Sequence, residues 1–427
     1  MTISFESCAE GMMYLISNKS STQISISPKD IAKLGIIVYI FYICWYMPSF
    51  GDRRIILYGT ALISCLWMII DLIINEEKID SLFPYGILNN FVMCIYSILT
   101  GMFVARNLIV LFSQVKTYFA FSSMCLVCCY ISKKEKSIDW IAKTFVAVST
   151  VCCLHVLTHG FYKNGYGYVL SEKNNPNSLG LILNVGIFSV AYLCKENLIS
   201  IMTSIAFASL FAYCIIGCGS RKCLIGAVMM CLFWMLPMIS NVMREHTLVE
   251  KALILILLAC LIFIVICFLR QSYLNSDSFK RMQSLGRNEG SSTLRKYYYE
   301  TAIKAFLEHP LFGIGFSQFI FYNSQNSYSH STYAESLACW GGLGSLVYFG
   351  PMIIAVYRLC KLIIQNSNGY RSKMVMALVF LELFLGAGTI FFYNAEHIIA
   401  WAMIYLYVEY EGDKEEGKTM VGKYVKA

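Results

Sequence analysis

Charge is what this sequence has least of: Asp, Glu, Lys and Arg make up 14% of its 427 residues, against 57% hydrophobic, at a mean hydropathy of +0.60. Soluble domains carry about 25% charge, so a soluble globular chain is excluded. Abundant apolar residues exclude disorder, and seven prolines are too few for a linker-rich chain. No G-x-x-x-x-G-K-[ST] loop is present and no G-x-G-x-x-G follows a strand, so nothing supports ATP-driven or dinucleotide chemistry. No n-region, h-region and cleavage site opens the chain, because residues 1–30 are polar and hold Lys19, Lys29 and Asp30. The first hydrophobic span is therefore the expected targeting signal.

In place of charge stand long apolar runs. A hydrocarbon core of about 30 Å needs roughly 20 apolar residues per helix. Runs of that kind lie at about 32–48, 55–74, 83–105, 107–131, 138–158, 177–194, 197–217, 222–243, 248–269, 333–357, 374–393 and 395–409. The expected fold is all-α, a polytopic transmembrane helical bundle of about 12 spans, with one large extracytoplasmic loop containing an amphipathic helix. Its organisation is an N-terminal cytoplasmic segment 1–31, spans one to nine over 32–269, the loop 270–332, spans ten to twelve over 333–409, and a cytoplasmic tail 410–427, expected to be irregular. Spans three and four hinge on Arg106 and Lys116, which interrupt what reads otherwise as one and a half spans. Many of the eighteen cysteines, Cys125, Cys128, Cys129, Cys152 and Cys153 among them, lie inside apolar runs and read as small hydrophobes, not a disulfide framework.

The formal charge of +8 comes from basic residues scattered between apolar runs. No groove-sized patch forms, and nucleic acid is rejected as a partner. Placing the N-terminus inside puts eighteen Lys and Arg in cytoplasmic segments and seven in short outer loops, the excess that the positive-inside rule favours, although Arg53 and Arg54 fall on the outer side against it. This topology exports the long loop with its own basic residues, among them Arg287, Arg295, Lys296 and Lys304; an exported basic loop asks for an anionic ligand. Within it Ser292 is placed to cap a helix from about Thr293 to Glu308. Leu294, Tyr298, Ala302, Ala305 and Phe306 fall on one face of that helix, and Lys296, Glu300 and Lys304 on the other. Pro310 ends it, Gly313 and Gly315 supply a turn back to the membrane, and the helix is expected to lie over the bilayer as a lid.

Four outer-facing clusters could carry chemistry. Asn174 to Asn177 is an amide-rich turn entering span six, either a helix cap or a ligand contact. Gly219, Ser220 and Arg221 open span eight, where a helix dipole favours an anion; alternatively Arg221 snorkels to the headgroups. Arg287 and Arg295 are suited to a diphosphate, because guanidinium makes bidentate bonds and stays charged, yet each alone also fits an ordinary solvated charge. Ser329, His330, Tyr333 and Glu335 close the loop, with His330 able to take a proton from a hydroxyl and Glu335 able to hold an arginine or to enter the bilayer only if paired. His155 and His159 have metal-ligand spacing, but no second cluster accompanies them and no metal site is expected. His309 reads as structural and His397 as interfacial.

These pieces, in this order, resemble the O-antigen polymerase and ligase family of bacterial envelope glycan enzymes. The resemblance covers about residues 165–350 and rests on Asn175-Pro-Asn177, Gly219-Ser-Arg221, Gly286-Arg287, Ser291 with Arg295, His309-Pro-Leu-Phe-Gly-Ile-Gly-Phe316, and Ser329-His330 with Glu335. Its most specific element is the His-Pro-Leu-x-Gly-x-Gly turn followed by a second histidine. One departure is Ser331, where the family often has Asn.

The family resemblance implies a glycosyltransferase of the outer face of the bacterial cytoplasmic (inner) membrane that uses an undecaprenyl-diphosphate-linked oligosaccharide as donor and acceptor, without nucleotide sugar, cofactor or metal. Carried over, His330 would be the base; Arg221, Arg287 and Arg295 would hold the diphosphate; Asn175, Asn177, Ser220, Tyr333 and Glu335 would support them. Membrane lipids, a chain-length regulator and a flippase are the further expected partners. The first expectation is a polymerase of capsule, exopolysaccharide or O-antigen repeats. A ligase of the same family is the nearest alternative. A non-enzymatic lipid-linked oligosaccharide flippase or transporter would need charge in mid-membrane, and only Asp71, Lys116, Lys143 and Glu382 fall within spans.

Overall fold

A computed structural model describes residues 27–50, 53–75, 84–160, 162–164, 167–169, 176–195, 201–245, 290–365 and 369–424. Its helices are α1 (Pro28–Phe50), α2 (Arg54–Ile74), α3 (Tyr85–Val104), α4 (Leu108–Glu135), α5 (Asp139–His159), α6 (Pro176–Lys195), α7 (Ile201–Cys218), α8 (Arg221–Glu245), α9 (Gly290–Glu308), α10 (Thr332–Gln365), α11 (Tyr370–Gly386) and α12 (Ala395–Tyr424). A short antiparallel hairpin, β1 (Tyr162–Asn164) and β2 (Gly167–Val169), follows α5. Eight helices, α1 to α7 and α10, are long and apolar enough to cross a membrane. α8, α11 and α12 overlap three more expected spans; the expected span 248–269 lies outside the described residues.

Local chemistry sets the ends. Ser27 and Asp30 form a capping box at the head of α1, with Pro28 in the first turn, where its missing N–H costs nothing. Asn107 Oδ1 accepts the Val110 N–H at 3.1 Å and starts α4, so of the two interruptions in the sequence Arg106 marks the break and Lys116 lies within the helix. α12 runs on to Tyr424 where an irregular tail was expected.

The surface is inverted relative to a soluble protein. Ile55, Phe103, Ile109 and Ile364 are each more than 80% exposed, and exposed apolar side chains on long apolar helices are stable against lipid, not water. Inside, α6 runs through the centre, with Leu179, Leu183, Phe188 and Val190 buried. Its fully buried Asn184 donates to Gly180 O at 2.8 Å and Cys223 O at 2.9 Å, satisfying the amide nitrogen while tying α6 to α8. All fifteen described cysteines are free thiols and twelve are buried, in line with their reading as packing residues.

Ion pairs gather at one end of the bundle. Lys33 meets Glu135 at 2.7 Å, Lys133 meets Glu409 at 2.8 Å, Lys134 meets Asp71 at 2.9 Å and Arg371 meets Asp139 at 3.3 Å. The start of α1, the ends of α2 and α4, and the starts of α5 and α11 therefore share one face. At the opposite face the α3–α4 turn grips the loop before α10: Gln318 exchanges two hydrogen bonds with the backbone of Asn107, and Arg106 donates to Phe321 O at 2.7 Å.

Candidate functional site

Most of the site hangs on a break in α10. Gly341 has φ +66° and ψ −169°, which divides that helix near its start. The freed backbone groups are met by the turn after α9. Ile314 and Gly315 donate to the carbonyls of Ala338 and Cys339 at 2.9 and 3.0 Å, and Gly342 and Leu343 donate to those of Pro310 and Leu311 at 2.7 and 3.3 Å. A Cβ at Gly341 would lie 2.6 Å from Gly313 N, so only glycine allows the turn to dock. The His309–Phe316 segment is thus a plug in a broken helix, and its glycines at positions 313 and 315, with φ +71° and +97°, supply the required backbone.

The loop then closes on His330. Asn323 bridges it internally: its amide nitrogen donates to Phe319 O and Ser327 O, and its oxygen accepts from Gln325 N and Ser327 N. His330 itself has φ +60°, a left-handed conformation that costs a non-glycine residue about 1–2 kcal/mol. The buried carboxylate of Glu335 holds this turn, accepting from Ser329 N at 2.7 Å and from the Tyr393 hydroxyl at 3.2 Å. Of the two roles open to Glu335, no arginine meets it among the described residues, and its buried carboxyl is paired by hydrogen bonds that serve the histidine turn. Ser331 Oγ accepts from Ala334 N at 3.4 Å as the N-cap of α10, a task that Ser and Asn perform equally well. Tyr333 reaches Leu383 O at 2.7 Å and pins α10 to α11.

Two rings stand against the imidazole, and two cations act on it through space. Tyr328 and Tyr298 lie 4.4 and 5.7 Å from it between ring centroids. Burial first, then the positive charges of Arg295 and Lys222, push the His330 pKa down to about 4. The ring is accordingly neutral near pH 7, the form that accepts a proton. Arg295 comes from α9, whose Tyr298, Ala302 and Ala305 are buried, whereas the expected core residue Leu294 is 39% exposed. Ser292 lies inside α9, not at its cap, because the helix already begins at Gly290. Lys296 and Glu300 pair at 3.8 Å on the solvated face. Tyr299 donates to Ala387 O at 2.7 Å, strapping α9 across to the turn after α11.

Lys222, in the first turn of α8, is the residue that sequence reasoning missed. Its ammonium donates to Gly388 O in the turn after α11, and it acts electrostatically on His330 together with Arg295. Among the described residues no carboxylate pairs with either Lys222 or Arg295. Ahead of Lys222, Gly219 has φ +75° and Ser220 caps α8, while Ser220 Oγ donates to Asn177 Oδ1 at 2.7 Å. Asn177 and Ser220 therefore join the heads of α6 and α8. Arg221 is half-buried at that helix head. Asn175 and Arg287 lie outside the described residues.

Behind the site is a second polar group. His397, expected at an interface, is 1% exposed, with Nδ1 2.6 Å from Glu382 Oε2 and Nε2 3.2 Å from Thr389 Oγ1. Thr389 O in turn accepts both the N–H and the hydroxyl of Thr332, two residues beyond His330. At the ion-paired end Asp71 accepts from Tyr130 and Lys134, so this in-span acid is also satisfied within the protein.

No curated protein matches the chain. Residues 206–349, which carry Arg221, Lys222, Arg295, the broken start of α10 and His330, match the O-antigen ligase family model, in agreement with the O-antigen polymerase and ligase family that the sequence resembles.

Proposed function

We propose that this multi-pass membrane protein is a polysaccharide polymerase. It transfers a growing glycan from a polyprenyl diphosphate to a hydroxyl of a lipid-linked repeat, on the outer face of a bacterial cytoplasmic membrane that it crosses about 12 times. The observation that carries this reading is that α8 and α9 are tied to the same turn after α11 through Lys222 and Tyr299, with Tyr298 of α9 against His330, so that Lys222 and Arg295 act electrostatically on the histidine, and neither cation has a carboxylate partner among the described residues. Like charges held together in a half-buried site repel, and an anion relieves that repulsion. A diphosphate supplies two charged groups and is itself the leaving group.

In the reaction, the acceptor oxygen forms its bond to the anomeric carbon as the bond from that carbon to the diphosphate breaks. The hydroxyl proton passes to His330, and negative charge accumulates on phosphate oxygens facing Arg295 and Lys222, with Arg221 and Arg287 as further donors. Preorganised donors of this kind are worth about 3 kcal/mol each in the transition state, and a general base contributes on the order of 10² to 10⁴. The arriving diphosphate also offsets the two cations that depress His330, so the base strengthens as the donor binds. No metal or nucleotide sugar is required by this scheme.

A ligase reading has the same site chemistry and is favoured by the description of the matched family model. The two differ in acceptor. Deleting the gene leaves single capped repeats if the protein is a polymerase and an unattached lipid-linked polymer if it is a ligase. For the enzyme itself the test is His330→Ala, read by polymer length on gels: a normally expressed variant that still makes full-length product would overturn the base assignment. A transporter is disfavoured because Glu382 and Asp71 are engaged with His397 and Lys134 within the protein.

A further inference from the structure

At the ion-paired end, away from His330, a cavity of about 510 Å³ opens between α1 and α5, within the range of small-molecule sites. Its lining is graded along the helix axes. Lys33, Ile37 and Phe41 follow one another at i,i+4 spacing on α1, and Trp140, Lys143, Thr144 and Ala147 share one face of α5. Both helices begin at the ion-paired face, so the charged positions lie at the rim and the apolar ones run toward mid-membrane. Lys143 and Ala147 are exposed, which leaves the groove open along its side.

The charges at the rim do not balance. Glu135 is taken by Lys33 at 2.7 Å and Lys29 at 3.8 Å, and Asp139 by Arg371 at 3.3 Å. Lys33 also sits 5.5 Å over the Trp140 ring, whose indole N–H is fixed by Ser132 Oγ at 3.0 Å. That leaves Lys143, one turn inside an apolar helix, with no carboxylate partner among the described residues. The hydroxyl of Thr144 beside it is spent on Trp140 O.

We propose that this groove binds an anionic phospholipid, with the phosphate between Lys143 and Lys33 and an acyl chain along Ile37, Phe41 and Ala147. An excess cation at the rim selects a phosphate, and the apolar continuation selects a lipid over a free phosphate ester. The site is separate from the proposed transferase chemistry and does not depend on it.

The test uses the full-length protein in mild detergent, incubated with phosphatidylglycerol or phosphatidylcholine and read by native mass spectrometry. Wild type is expected to retain phosphatidylglycerol in preference to phosphatidylcholine, and glycerol phosphate is expected not to displace it. Reversing one juxtamembrane charge changes anionic-lipid binding on the order of tenfold, so Lys143→Glu should lower retention by that factor. Ala147→Trp, which fills the apolar half without touching charge, should do the same and covers the case in which the charge variant fails to fold. Lys296→Glu, on the wet face of α9, should leave retention unchanged. Equal retention of the two lipids, displacement by glycerol phosphate, or wild-type retention in both groove variants would overturn the proposal.

Discussion

Arg221 and Lys222 are neighbours at the head of α8, yet about 100° of helix rotation separates their side chains. Sequence favours the arginine, because guanidinium is the better diphosphate ligand, but only the packed structure says that Lys222 turns toward Gly388 and the histidine. His330 and Arg295 were legible as candidates from residue type and order. Glu335 was legible as a site residue but not in its role, since its partners Ser329 and Tyr393 are joined to it by the fold. Replacing Arg295 by Ala, or Lys222 by Met, is expected to lower kcat on the order of a hundredfold in a purified assay with lipid-linked substrate. The pH profile makes a sharper statement. As the proposed base His330 acts in its neutral form, so kcat/KM is expected to fall as pH drops through its depressed pKa of about 4. Removing either cation raises that pKa and moves the acid limb to higher pH. Because bound diphosphate offsets the same cations, the acid limb of kcat should lie above that of kcat/KM; coincident limbs would remove electrostatic coupling between donor and base.

Helices announce themselves by apolar length and by polar breaks, so most elements of this fold were readable. The turn at Ala105–Asn107 was readable only in part, because Arg106 and Lys116 both interrupt the apolar run and only the Asn107 cap shows that the break falls at the first. The division of α10 was not: Trp340-Gly341-Gly342-Leu343 reads as ordinary membrane helix, and nothing local says that a turn thirty residues earlier will occupy the gap. Two segments far apart in sequence exchange four backbone hydrogen bonds there, a pattern visible only once both are placed. Gly341→Ala tests it at this scale. Alanine at φ +66° is strained and its Cβ meets Gly313 N, for an expected destabilisation of about 1–3 kcal/mol. A fall in the apparent melting temperature together with loss of activity, measured by thermal size-exclusion, is the expected outcome. Gly350→Ala, in the same helix with open space around its Cβ position, should change neither.

At the scale of the whole molecule, the architecture sorts the charges to two ends, and the orientation proposed for the site follows from the charge rule applied to them. Lys33, Lys133, Lys134 and Arg371 pair with acids at one end of the bundle, and these are the residues that the positive-inside rule assigns to the cytoplasm. His330, α9 and the α3–α4 turn occupy the other end, on the side where a lipid-linked glycan would be presented. Cysteine labelling reads this directly, because the described native thiols are buried or half-buried except Cys360, which Cys360→Ser removes from the background. A membrane-impermeant maleimide applied to intact spheroplasts should label Gln325→Cys, exposed in the loop before His330, and should reach Lys136→Cys, exposed at the end of α4, only after permeabilisation. The reverse pattern would put the histidine and its cations in the cytoplasm. Polymerisation on the outer face would then be impossible, although the contacts within the site would be unaltered, so this measurement separates the direction in which the site faces from the chemistry its residues can perform.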